Sequence, residues 1–312
     1  MVELYDIVDN LDYVATNCYQ HQLTEVLDAS FNVKRLTLAE LERGDIPIGS
    51  AVISRLRLRT LVNNLQTVSS ALRGTRSFIY EQDTWENFLV DSPYFGSYAK
   101  INACLSPLTF LNMSHWWAAL VRSAGIPSRF IQVWTLPKYC TPPAPWSQRA
   151  HKAIFCGTLY PRRVTFFDAL KQRGINVEVV PVQPTFARYL ELLSSSRLVI
   201  RCDKIDWLID AGHGQCRVTD YNALWQRDIE VAARGCFSMR EADDEGSLWG
   251  IGRIPLIVPF TTVDSAVASI NRIASLSCTE ADDIAHTSVD VIRSAEGWMS
   301  VPRVIHEVLG AT

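Results

Sequence analysis

Asn222-Ala-Leu-Trp-Gln-Arg-Asp-Ile-Glu-Val-Ala-Ala-Arg-Gly235, with the Cys236-Phe-Ser-Met239 run behind it, is the stretch that decides the fold. Leu224, Ile229, Val231 and Ala232 fall mostly on a core-facing side of a helix, while Arg227 and Glu230 stand three apart on another face. Gly235 occupies the position just past the last turn, where glycine takes a left-handed backbone without strain. The apolar Cys236–Met239 segment then reads as a strand. A helix stopped by glycine and feeding a short apolar strand is a piece of a strand–helix–strand crossover, and such helix ends line a ligand crevice.

The same rhythm extends in both directions. Upstream, strands are predicted at Leu4–Val8, Val33–Leu36, Ala51–Ser54, Ser77–Tyr80, Leu108–Met113 and Phe130–Trp134, with helices at Gln22–Ala29, Leu61–Leu72 and Trp116–Ala124. Later, strands at Ala153–Cys156, Asn176–Val180, Leu198–Ile200 and Cys236–Met239 alternate with helices at Arg162–Gln172, Phe186–Ser194 and Asn222–Arg234. Alternation of this kind implies parallel sheets with right-handed crossovers. Between the halves, Pro137-Lys-Tyr-Cys-Thr-Pro-Pro-Ala-Pro-Trp146 holds four of the 14 prolines, an extended join that suits neither helix nor sheet.

The expected organisation is therefore α/β: a Rossmann-like domain over 1–136, a proline-rich linker over 137–147 and a second Rossmann-like domain over 148–278. Residues 279–312 read as closing helices, interrupted near Gly297 and Pro302. Two such domains facing across a cleft would bring their strand C-termini around a shared ligand site.

Composition narrows the function classes. The 312 residues are 48% apolar and 20% charged, which removes disordered and collagen-like classes. A formal net charge of −3 gives no ground for a nucleic-acid partner. No apolar run approaches the roughly 18 residues that cross a bilayer, although peripheral contact with a membrane stays open. The opening Met-Val-Glu-Leu-Tyr-Asp lacks the basic-then-apolar pattern of a signal peptide. Cysteines at 18, 104, 140, 156, 202, 216, 236 and 278 stand singly with no Cys-x-x-Cys, so reduced thiols in the cytoplasm and no zinc site are expected.

Several residues are placed to do chemistry. Gly157-Thr-Leu-Tyr-Pro-Arg-Arg163 joins a strand to a helix whose N-terminus favours anions, and Arg162 and Arg163 add positive charge where a diphosphate would sit. An ordinary strand-to-helix turn with solvated arginines is the competing account. Neither a Gly-x-Gly-x-x-Gly nor a P-loop is present. Asp210-Ala-Gly-His-Gly-Gln-Cys-Arg217 and Thr219-Asp-Tyr221 form a polar approach to the 222–235 helix, with His213 between glycines and Thr219 or Asp220 as a cap. Glu230 can accept hydrogen bonds from the two vicinal hydroxyls of a ribose. Its alternative is an Arg227–Glu230 pair on a wet face, worth only a few tenths of a kcal/mol. Arg55-Leu-Arg-Leu-Arg59 alternates like a half-buried edge strand or strand exit with its arginines in solvent, or else favours an anionic acceptor or lipid headgroup. His115, at a strand-to-helix turn beside Trp116 and Trp117, is a catalytic candidate or a structural histidine.

With these residues in view, the second half resembles the donor-binding domain of GT-B glycosyltransferases, especially the retaining group with paired glutamates eight residues apart. That group has a Gly-Arg-Leu loop followed by a lysine, and later Glu, seven residues, then Glu-Ala-x-Ala-x-Gly. Gly157-Thr158-Leu159 stands in the loop, Arg163 at the lysine, and Glu230-Val-Ala-Ala-Arg-Gly235 at the second glutamate and its glycine. Thr158 replaces the arginine and Asn222 the first glutamate. In the first half, Leu108–Met113, Ser114, a helix, Gly125-Ile-Pro127 and Phe130–Val133 resemble the family's passage before the interdomain link. The Ser77–Tyr80 strand runs into Glu81-Gln-Asp83 where the family commonly has a His-Asp pair, so the resemblance marks Glu81 and Asp83 as catalytic or acceptor-contacting. A polar turn capping the next helix, or a metal-bridging carboxylate pair, is the other account of these two residues.

The resemblance implies metal-independent transfer of a sugar from a nucleotide-sugar donor to a hydroxyl of a carbohydrate or small-molecule acceptor, with no bound cofactor. Glu230 would hold the ribose, and Gly157, Thr158, Arg162, Arg163, His213, Tyr221, Asn222 and Arg227 would complete the donor site. A sugar-nucleotide epimerase of the same architecture is one alternative. A non-catalytic glycosyltransferase-like binding or scaffold protein is the other, and Thr158 and Asn222 keep it open.

Overall fold

The computed structural model describes all residues except 1, 45, 81–83, 133–134, 142, 181–184, 203–206, 211, 213, 219–225, 243–253, 295–296 and 311–312, and the side chains of 13, 16, 18, 85, 207 and 216–218. In chain order the strands are β1 (Glu3–Val8), β2 (Asn32–Thr37), β3 (Ala51–Ser54), β4 (Arg76–Tyr80), β5 (Leu108–Asn112), β6 (Ser128–Phe130) and β7 (His151–Cys156). There follow β8 (Glu178–Val180), β9 (Ser196–Arg201), β10 (Trp207–Asp210), β11 (Gln215–Val218), β12 (Phe237–Glu241) and β13 (Ile257–Phe260). The chain divides into two compact units. One holds Met1–Val133, Trp207–Val218 and Trp298–Thr312; the other holds Trp134–Asp206 and Thr219–Gly297.

The first unit is built on a six-stranded sheet in the order β2-β1-β3-β4-β5-β6. Every pairing in it is parallel. From β1 the chain steps one way to β2, then returns past β1 and runs the other way, so the switch point lies between β1 and β3. β3 and β5 are buried along their whole length, as strands covered on both faces must be. Arg55, just past β3, overturns the solvated-arginine expectation. It is fully buried and donates from Nε to Asp6 Oδ1 at 2.8 Å, with its terminal nitrogens on Asp6, Gln20 and Thr24. The physical reason is position: β3 is an inner strand, so its exit points into packed protein. Arg57 and Arg59 are exposed.

The 210–217 segment, expected as a loop leading into the donor helix, is instead part of an antiparallel hairpin of β10 and β11. It belongs to the first unit, where Val90 N donates to Leu208 O and Asp210 N to Phe88 O. Gly212 and Gly214, with φ of 85° and 103°, provide the left-handed backbone of its turn. The last helix, Ser300–Leu309, also belongs here and buries Val301, Pro302 and Ile305. Pro302 sits in its first turn, where proline is tolerated, so only Gly297 marks an interruption.

The second unit repeats the same winding with five parallel strands in the order β13-β12-β9-β7-β8, and its switch point lies between β7 and β9. Both units are thus Rossmann-like. β13 and the Val263–Ala274 helix, opened by a Thr262–Ser265 capping box, have no counterpart in the sequence-based assignment. The Cys278–Arg293 helix lies in this second unit. Asp282 accepts from Trp146 N at 2.8 Å and Arg293 donates to Cys140 O at 3.1 Å.

Candidate functional site

Ligands of open parallel sheets collect beyond the strand C-termini at the switch point. In the second unit this place begins where β7 ends at Cys156 and passes into Gly157. Gly157 has φ of 151°, and a Cβ there would stand 3.2 Å from the Phe155 ring and 3.6 Å from the Arg227 guanidinium. Thr158, Leu159 and Tyr160 lead into the Pro161–Gln172 helix, which starts on proline and has no side-chain cap on its first N–H groups.

Both arginines of this turn make protein contacts, Arg162 while still exposed to solvent. Arg162 forks onto Glu241, the last residue of β12, with one contact at 2.8 Å and a second between Nη2 and Oε1. Arg163 donates to Thr158 O at 2.7 Å and to Cys202 O at 3.1 Å, and its guanidinium lies over the rings of Tyr160 and Phe155. Arg163 therefore braces the loop, and Arg162 ties the helix start to a strand end.

The stretch that opened the sequence supplies the opposite wall. Its described part is the Gln226–Ala233 helix, with Gln226, Asp228, Ile229, Glu230, Val231, Ala232 and Ala233 all buried. The wet-face Arg227–Glu230 account fails, because Glu230 is fully buried and accepts from Gln226 Nε2 at 2.7 Å. Arg227 points elsewhere and donates to Cys156 O at 3.4 Å. Between them Asp228 accepts from Ser238 Oγ at 3.0 Å and Arg240 Nη1 at 2.6 Å, with Arg201 Nη1 at 3.7 Å. Arg201 ends β9 and Arg240 precedes the end of β12, so these charges gather at strand C-termini. Burial pushes the Cys156 thiol up to about 11, a rise opposed by the nearby Arg227 and Arg201. Gly235 ends the helix as expected, with φ of 69°.

Gln226, Asp228, Arg201, Arg240 and Glu241 were not picked out by sequence. The available signal was charge at the end of apolar strands, in Leu-Val-Ile-Arg201 and Phe-Ser-Met-Arg-Glu241.

No protein-family model matches the sequence, and no curated protein matches it by sequence. Solved structures do match in shape. Sucrose-phosphate synthase from Thermosynechococcus elongatus is 12% identical and superposes with a TM-score of 0.62 over 100% of both chains. An α,α-trehalose 6-phosphate synthase from Burkholderia multivorans is 7% identical, with a TM-score of 0.58 over 100% of this chain and 98% of that one. A lipopolysaccharide outer core galactosyltransferase is 11% identical, with a TM-score of 0.53 over 98% and 100%. The chain has the GT-B fold.

The family resemblance drawn from Glu230–Gly235 and the strand order thus holds at the level of fold. In this GT-B chain Gly157, Thr158, Arg162, Arg163, Arg227 and Glu230 all lie in the second unit. Glu81, Asp83, His213, Tyr221 and Asn222 lie outside the described residues. His115 opens the His115–Ser123 helix of the first unit, behind Ser114, whose hydroxyl accepts from Trp117 N at 3.4 Å. The His115 ring stacks on Phe130 with centroids 3.5 Å apart. Desolvation, then the charge of Arg122, holds its pKa below the ordinary histidine value. Among the described residues no three His, Cys, Asp or Glu side chains gather as metal ligands would, and no helix is long and apolar enough to cross a membrane.

Proposed function

We propose that the chain is a metal-independent glycosyltransferase moving a sugar from a nucleotide-sugar donor to a hydroxyl of a carbohydrate or small-molecule acceptor. The observation that carries this is the placement of Glu230. It stands on a crossover helix stopped by Gly235, on the same helix as Arg227, which lies against Gly157 at the end of β7. Support also comes from the full-length likeness to structures named as sugar-phosphate synthases and a galactosyltransferase.

In this proposal the nucleoside diphosphate lies over Gly157, where the missing side chain lets phosphate oxygens approach the backbone and the start of the Pro161–Gln172 helix. Arg227 and Arg162 then offset the charge that grows on the leaving diphosphate as its bond to the anomeric carbon breaks. The acceptor hydroxyl forms the new bond to that carbon and gives up its proton to a general base. Cysteines that stand singly along the sequence, with no Cys-x-x-Cys, fit a reducing, cytoplasmic setting.

A nucleotide-binding scaffold without transfer is the second reading, favoured by Arg163, whose guanidinium is committed to two backbone carbonyls. Thermal shift with UDP, GDP, ADP and their sugars tests both readings, since stabilisation by none of them removes both. Hydrolysis of a stabilising donor, with product analysis, then separates transferase from scaffold and from epimerase. Unchanged nucleotide affinity in Glu230→Ala would sink the ribose role.

A further inference from the structure

Gln226 opens the buried helix and is itself fully buried. Its amide is oriented by its neighbour one turn along. Glu230 Oε1 accepts, so the nitrogen of Gln226 faces it at 2.7 Å and the carbonyl oxygen faces away. That oxygen, Oε1, is buried and has no hydrogen-bond partner. A buried carbonyl left without a donor is destabilising, and an apolar side chain of similar size would avoid that cost. A polar group kept at that cost, beside the carboxylate assigned to the ribose, points to a donor that arrives with the ligand.

We propose that Gln226 is a specificity-determining residue of the donor site. Its Oε1 and the carboxylate of Glu230 accept hydrogen bonds from the two vicinal hydroxyls of a ribose, so the site selects ribonucleotides against their deoxy forms. The proposal rests on the donor-site reading of Glu230. It adds a second acceptor that no part of the glutamate motif supplies. Glu230 plays two parts: it orients the Gln226 amide through Oε1 and takes one hydroxyl.

The test uses the full chain and the nucleoside diphosphate among UDP, GDP and ADP that stabilises it most, together with that nucleotide's 2′-deoxy and 3′-deoxy forms. The native protein is expected to prefer the ribonucleotide by about tenfold or more for each lost hydroxyl, the factor that one hydrogen bond of about 1.4 kcal/mol gives. Gln226→Leu and the closer-shaped Gln226→Met should lose most of that preference at one hydroxyl while keeping their affinity for the corresponding deoxy form. A purely structural role would instead weaken ribo and deoxy forms alike. A native protein that binds but does not distinguish them overturns the proposal, and needs no variant to fold. Full preference retained in Gln226→Met overturns the role of Gln226 alone. Failure of all three nucleotides to bind overturns the donor-site reading and this proposal with it.

Discussion

Arg55, which follows β3, and Asp6 of β1 form a wholly buried ion pair, with Arg55 Nε 2.8 Å from Asp6 Oδ1 and a terminal nitrogen on Oδ2. Arg35 Nε adds a contact of 2.8 Å to the same carboxylate. Removing one partner leaves a desolvated charge uncompensated, so Asp6→Ala should lower the unfolding free energy by about 3–5 kcal/mol. Replacing Asp6 and Arg55 together with leucine and methionine should recover much of the loss. Urea denaturation of the three proteins checks this, and equal losses in the single and double variants would count against it.

Gly235 is fixed by both backbone and space. Its φ is 69°, and a Cβ would collide with Pro143 and stand 2.8 Å from Arg149 Nη2. Arg149 cannot swing away cheaply, because it also donates to Ser196 O at 2.9 Å and is buried. Gly235→Ala combines left-handed strain with overpacking, for a loss of about 2–4 kcal/mol. Gly174→Ala is the control, with φ of 80° but open space around its Cβ, and should lose only about 1 kcal/mol.

The contrast between these sites shows what the sequence makes legible. Gly235 was readable because a helix end, a glycine and an apolar run are local signals. The strand positions followed for the same reason, and alternation with helices gave the parallel winding. Asp6 and Arg55 are 49 positions apart, and their pairing depends on β1 lying beside β3, which no local pattern states. The hairpin at 207–218 was missed because its glycine-rich turn looks like a phosphate loop when its partner segment, Phe88–Val90, is not known. Of the candidate site, Glu230 was legible through its spacing to Gly235. Its burial, and its pairing with Gln226 instead of a wet-face arginine, depend on what packs around the helix.

Thiol chemistry separates the cysteines by burial. Desolvation pushes Cys140 and Cys156 up to about 11 and Cys236 up to about 12, so near neutral pH they stay protonated and poor nucleophiles. Cys104 and Cys278 are exposed. Iodoacetamide at pH 8, followed by peptide mass mapping, should modify Cys104 and Cys278 well before Cys140, Cys156 and Cys236.

The same shifts set a pH dependence. A group whose folded pKa is raised keeps its proton in the folded state while the unfolded chain releases it. The contribution is fully present below the ordinary thiol value near 9 and is lost as pH rises toward 11–12. Stability should therefore decline above about pH 9. Cys236→Ala should flatten that decline when Tm is followed from pH 8 to 11; an unchanged slope would show that Cys236 contributes nothing to it.

Arg162 and Glu241 offer a last test, because their pair can be opened without dismantling a core. The Glu241 side chain is 6% exposed but that of Arg162 is 47% exposed, so solvent screens the attraction and Glu241→Gln should cost no more than about 1 kcal/mol. Weakening that pair loosens the hold on Arg162 beside the helix start where the donor diphosphate is proposed to lie. Glu241→Gln should then bind the preferred nucleoside diphosphate about threefold more tightly, and Arg162→Gln about tenfold more weakly, with the corresponding nucleoside monophosphate affected less. The double variant should match Arg162→Gln, since Glu241 acts on the ligand only through the arginine. Measurement at two salt concentrations sharpens the outcome, because losing one phosphate-contacting charge must also make binding less salt-dependent. Equal affinities in all four proteins would remove Arg162 from the donor site and leave its fork on Glu241 a purely structural tie.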